Sequence, residues 1–143
     1  WFLAWRCSRK LAGFIRAGRP IHVVAHSNGA TVVLDALRRL DYPRIERLHL
    51  LSPSCSEDGE VSGLARVNCE LISIYRAGND WVLKFADSDI GNILGFDDLG
   101  AGGPRNMAHA ISDFIVVDED DYSHSSWFEG ERFEALMHRI TKT

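Results

Sequence analysis

No stretch of this chain stays apolar for the roughly 18 residues that a membrane-spanning helix needs, so a helical membrane protein is not expected. Basic residues are in the minority, 16 Lys and Arg against 20 Asp and Glu, and they are scattered along the sequence. Nucleic-acid binding draws on concentrated positive charge, which is missing here, and no nucleic-acid partner is expected. Cysteine is sparse: Cys7, Cys55 and Cys69 have no metal-ligand spacing and leave at least one thiol unpaired, which favours a reduced, cytoplasmic setting over a disulfide-stapled secreted domain. His22, His49, His109 and His138 have no neighbouring ligands at metal spacing, so no metal site is expected. There is no Met at position 1 and no signal-like segment, which leaves the true N-terminus open.

What is present is the composition of a globular domain. At 143 residues, 45% hydrophobic and 25% charged, with a formal net charge of −4, the chain has enough apolar content for one core and is expected to form one domain over residues 1–143. Trp1 to Ala17 carries Phe2, Leu3, Trp5, Leu11, Phe14 and Ile15 near helical spacing and stops at Gly18-Arg19-Pro20, predicting an amphipathic helix. Ile21 to Ala25 reads as a strand, and Gly29 to Leu40 as a helix with Thr31, Val32, Leu34, Ala36 and Leu37 on its buried face, broken by Asp41-Tyr42-Pro43. Further strands are predicted at Ile45 to Ser52, Leu71 to Tyr75 and Phe114 to Val117, with a closing helix from Trp127 to Thr143. Ser56 to Asn68 reads as a loop with a short helix, and the glycine-rich stretch Gly91 to Gly103 as an excursion without the lysine of a phosphate loop. Strands alternating with helical segments predict an α/β fold with a parallel sheet and flanking helices.

Ala25-His26-Ser27-Asn28-Gly29 lies at the join between the first strand and the helix after it. A serine at such a turn is held in strained backbone geometry with its hydroxyl exposed, and small residues two before and two after it let the helix pack on the strand. Ala25 and Gly29 occupy those positions, Ser27 is the candidate nucleophile, and the Asn28 N–H is placed to meet negative charge during acyl transfer. A serine hydroxyl needs a base and an acid that orients the base. Asp80 follows the third strand in Gly78-Asn79-Asp80-Trp81-Val82, and His124 follows the fourth in Tyr122-Ser123-His124-Ser125-Ser126-Trp127. In an open parallel sheet such strand ends share one edge.

Serine at an elbow, then aspartate, then histidine, in that order, resembles the α/β-hydrolase superfamily over most of the chain, with Ala25 where the motif has its first glycine. The resemblance implies a Ser27-His124-Asp80 triad, an oxyanion contact from Asn28, an acyl-enzyme intermediate, a small-molecule ester or thioester substrate and no cofactor. It also implies that the four strands correspond to the second half of the family's sheet. The N-terminal strands would then be absent, Ile21 to Ala25 would lie at an apolar edge, and the second oxyanion donor would come from a longer chain or a completing subunit.

Each residue alone has a plainer role. Ser27 suits a helix N-cap, Asp80 an N-cap or Asx turn, and His124 a solvated loop. Their joint placement after strands favours the triad. His26 is read as a packing or locally hydrogen-bonded residue, because its side chain points away from its neighbour's. Asp118-Glu119-Asp120-Asp121 lacks the spaced ligands of a calcium loop and reads as a solvated turn. Trp81, Phe85 and Phe96 are candidates for walling a substrate pocket, with core packing as the alternative for each. A non-catalytic binding or assembly module and an acyltransferase using the same triad remain as other functions compatible with these residues.

Overall fold

Apolar runs separated by polar turns become, in a computed structural model, four parallel strands laid side by side in chain order. Residues 2–17, 21–40, 45–54, 69–86 and 114–142 are described. The strands are β1 (Ile21–His26), β2 (Ile45–Leu51), β3 (Cys69–Ala77) and β4 (Phe114–Glu119). Their register aligns His26, Leu51, Tyr75 and Val117 in one row, so the four carboxyl ends lie along one edge. Among the described residues β1 pairs with β2 alone and is an edge of the sheet.

Helices cover both faces, as an all-parallel sheet requires. On one face α1 (Phe2–Ala17) and α2 (Gly29–Leu37) bring Ala12, Ile15, Val33, Leu34 and Leu37 against Ala25, Leu48, Leu50, Ile72 and Ile74. On the other, a 3₁₀ turn (Ser126–Phe128) and α4 (Gly130–Lys142) set Trp127, Leu136 and Ile140 against Leu51, Tyr75 and Ala77. Alternate strand residues therefore serve opposite layers, each fully buried Leu or Ile contributing about 1.5–3 kcal/mol. A short helix, α3 (Trp81–Ala86), follows β3. This is an α/β architecture.

A polar contact fixes α1 on α2. Ser8, fully buried, donates its hydroxyl to the Asp35 carboxylate, which Arg39 also binds. Burial alone would raise the Asp35 carboxyl, but the Ser8 and Arg39 hydrogen bonds outweigh it and hold the group below its ordinary value. No helix among the described residues is long and apolar enough to cross a membrane.

Several boundaries differ from expectation. The helix after Ser27 ends at Leu37, and Arg39 and Leu40 continue in tighter turns onto the Ala36 and Leu37 carbonyls. Its buried residues are Ala30, Val33, Leu34, Ala36 and Leu37, whereas Thr31 and Val32 are half-buried. Thr31 instead donates its hydroxyl to the Ser54 carbonyl at 2.9 Å. The closing helix starts at Gly130, with φ 41°, after the 3₁₀ turn that contains Trp127. In the acidic run Asp118 pairs with Arg76 at 3.2 Å and Glu119 with Arg139 at 2.8 Å, while Asp118, Asp120 and Asp121 stay exposed as expected of a solvated turn. The helix stop 18–20, the breaker 41–43, the loop 56–68, the stretch 91–103 with Phe96, Cys55, His109 and the Phe85 side chain lie outside the described residues.

Candidate active site

Ser27 stands one residue past β1 with φ 51°, in the left-handed region that side chains rarely occupy. Such a conformation costs on the order of 1–3 kcal/mol and persists only where its surroundings over-determine it. Three main-chain hydrogen bonds do so. The Ser27 N–H donates to Leu51 O at 3.0 Å, and its carbonyl accepts from Ala30 N at 3.0 Å and Ser54 N at 3.2 Å. Asn28 then turns into helical geometry, with φ −59° and ψ −17°, and its N–H donates to no atom among the described residues. A Cβ added at Gly29 would lie 3.9 Å from the Ala25 Cβ, an ordinary contact. The helix does descend onto the strand at this pair, with room for one methyl group.

Asp80 is fully buried at the start of α3, held by its N–H on the Ala77 carbonyl at 3.1 Å. Its carboxylate divides its work. Oδ1 accepts the Leu83 N–H at 3.0 Å and caps α3, while Oδ2 accepts from Nδ1 of His124 at 2.8 Å. The cap and the contact with the imidazole, weighed as alternatives for this residue, are thus made by two oxygens of one group. An ionised carboxylate only accepts, so in that pairing Nδ1 of His124 carries a hydrogen, and in the neutral imidazole Nε2 then keeps its lone pair.

The loops bearing these two side chains are tied through their backbones. Gly78 N–H donates to Glu119 O and Asn79 N–H to Tyr122 O, each at 3.0 Å. On either side of His124, the Ser123 and Ser126 hydroxyls meet at 2.8 Å, and the Ser123 N–H donates to the Ser126 hydroxyl at 3.0 Å. Trp127, 1% exposed, donates its indole N–H to the Ser52 hydroxyl at 2.9 Å and packs on Tyr122 and Tyr75. The His124 side chain itself remains 18% exposed.

Asp80 and His124 are therefore brought into direct contact, and Ser27 shares their sheet edge. Between Ser27 and His124 no hydrogen bond is formed. The link between them runs through His26, whose Nε2 lies 2.7 Å from the His124 carbonyl and whose ring lies 4.6 Å from the His124 ring. Phe128, half-exposed, meets the His26 ring edge-on at 5.1 Å. Trp81 is 70% exposed beside Asp80.

Sequence reasoning missed the part His26 plays: the bond it makes is not local but spans 98 positions. The available signal was the strand alternation, which turns His26 away from the face of Val23 and Ala25, where α1 and α2 pack, and toward the layer that holds Trp127. Ser52 was also missed. It repeats at the end of β2 the left-handed backbone of Ser27, with φ 40°. Among the described residues no group of three His, Cys, Asp or Glu side chains could hold a metal ion. Comparison of the chain with protein-family models, with curated proteins and with solved structures gives no match.

Proposed function

We propose that the chain is a serine hydrolase of the α/β-hydrolase kind, acting on a small-molecule ester or thioester. The observation that carries this reading is the 2.8 Å contact between buried Asp80 and Nδ1 of His124, on the sheet edge where Ser27 sits in a left-handed turn. A buried carboxylate on one imidazole nitrogen selects the tautomer whose other nitrogen is a base.

In the proposed reaction Ser27 Oγ attacks the substrate carbonyl carbon and its proton passes to Nε2 of His124. Asp80 stabilises the resulting imidazolium, and the Asn28 N–H donates to the oxyanion. Collapse expels the alkoxide or thiolate, which takes the proton from His124. Water, deprotonated by the same imidazole, then attacks the acyl group and frees Ser27. One oxyanion donor is worth about 10²–10³ in turnover. A second donor, supplied by upstream strands or a completing subunit, is part of this proposal. Exposed Trp81 and Phe128 flank the Asp80 and His124 positions and are suited to contact the acyl or leaving group.

A second reading, a non-catalytic binding module on the same framework, is favoured by one observation: Ser27 and His124 are not hydrogen-bonded. In unliganded sites this bond is often long and tightens with substrate. Covalent labelling by a fluorophosphonate, read by intact mass, separates the two. Labelling of the wild type that is lost in Ser27→Ala and His124→Ala supports the hydrolase. A folded wild type that takes no label supports the binding module.

A further inference from the structure

We propose that His26 is a positioning residue that fixes the His124 imidazole beside Ser27 by holding the His124 main-chain carbonyl and backing its ring. This inference rests on the reading of His124 as the base. The carbonyl of His124 can only accept, so Nε2 of His26 is the protonated nitrogen and the 2.7 Å contact is an N–H···O bond. A histidine side chain on a loop has two main rotors, and the Asp80 bond restrains the imidazole at one atom only. His26 adds two restraints from β1 itself. It anchors the main chain from which the imidazole hangs, and it places a tilted ring 4.6 Å away along one side of it. Phe128, edge-on to His26 at 5.1 Å, holds that backing ring in turn.

The position of His26 explains how this reaches Ser27. It is the last residue of β1, it pairs in register with Leu51, and the next residue is the nucleophile. A clamp on the His124 loop from another element, such as the Trp127 bond to Ser52, reaches the serine only through a second strand. A clamp from the residue adjoining Ser27 makes their separation a matter of one short piece of backbone. His26 is also suited to sit beside an imidazole that must gain a proton. Burial, foremost, and the neighbouring His124 outweigh the bond to the carbonyl and the Asp80 carboxylate and hold it below the ordinary histidine value, which favours its neutral form.

The test compares His26→Phe, which keeps a ring and removes the donor, with His26→Gln, whose amide N–H can reach the same carbonyl. Two readouts are taken on folded protein: the rate of fluorophosphonate labelling against pH, and the low-field proton resonance of the His124 Nδ1–H, assigned by its loss in Asp80→Asn. His26→Phe is expected to slow labelling about tenfold and broaden the resonance, and His26→Gln to recover most of both. Unchanged labelling and an unchanged resonance in His26→Phe overturn the inference, as does failure of His26→Gln to recover either. Should His26→Phe not fold, His26→Asn, whose shorter amide stops short of the carbonyl, replaces it. A wild type that takes no label refutes the hydrolase reading, while the resonance still decides whether His26 fixes His124.

Discussion

A Cβ built on Gly78 would fall 2.7 Å from both the Cα and the carbonyl oxygen of Asp120. No flexible side chain could move aside, because the obstruction is backbone. This close approach draws the turn before Asp80 against the turn after β4, and the paired bonds from Gly78 to Glu119 and Asn79 to Tyr122 depend on it. Gly78→Ala is therefore expected to push the two loops apart, costing about 1–3 kcal/mol as overpacking does and slowing any labelling of Ser27 more than the loss of stability explains. Chemical denaturation alongside labelling rates checks this, and a variant as stable and as reactive as the wild type would show that the approach is unimportant.

Asp80 offers a way to separate structure from chemistry. In Asp80→Asn the amide oxygen can still accept the Leu83 N–H and keep α3 capped, but an NH₂ group then faces Nδ1 of His124. The imidazole must present a lone pair there and carry its hydrogen on Nε2, the wrong tautomer for a base. Labelling is expected to fall by about 10⁴ with little change in the denaturation midpoint. Asp80→Ala would lose the cap as well, about 1 kcal/mol more. Equal labelling by wild type and Asp80→Asn would remove His124 from the role of base.

Ser52 combines a strained backbone with a buried acceptor, and two substitutions pull these apart. Ser52→Gly relieves the left-handed φ of 40° while leaving the Trp127 indole N–H without its partner. Ser52→Ala keeps the strain and also loses the acceptor. An unsatisfied buried donor costs about 1–3 kcal/mol, and glycine relieves the left-handed penalty of about 1–2 kcal/mol at a positive φ. Both variants are expected to be destabilised, Ser52→Ala the more so, as thermal unfolding would report. The reverse order would mean that the backbone at Ser52 is not strained.

The α/β alternation and the three residues at strand ends were legible because each depends on local pattern: an apolar run, then a polar turn. What failed depends on partners distant in sequence. The periodic face assigned to α2 included Thr31 and Val32, but the helix takes its phase from the Ser27 turn, which brings Ala30 and Val33 inward and leaves Thr31 to bond Ser54. Asp80 was weighed as either a cap or a triad acid, since sequence shows one residue and not its two oxygens. His26 reads as a packing or locally hydrogen-bonded residue because its side chain points away from that of Ser27, and the carbonyl it meets lies 98 positions away in the chain. Helix α3 was not foreseen, as six residues are too few for a periodic pattern to stand out.

His49 supplies a test that is independent of any activity. It is fully buried on β2, its Nε2 has no hydrogen-bond partner among the described residues, and Nδ1 lies 3.3 Å from the Tyr75 hydroxyl. Burial, and then the nearby His22 and Arg47, lower its pKa from 6.5 to about 4. Above the ordinary histidine value both folded and unfolded chains leave it neutral, so it adds no pH dependence there. As pH falls from 6.5 toward 4 the unfolded chain takes up a proton that the folded chain refuses, and stability drains away through that window, by about 3 kcal/mol at its lower end. His49→Phe removes the uptake together with the orphaned nitrogen. Urea unfolding at steps between pH 7.5 and 4 should therefore give a shallower acid slope for His49→Phe than for the wild type, and parallel slopes would place the acid sensitivity of the fold elsewhere.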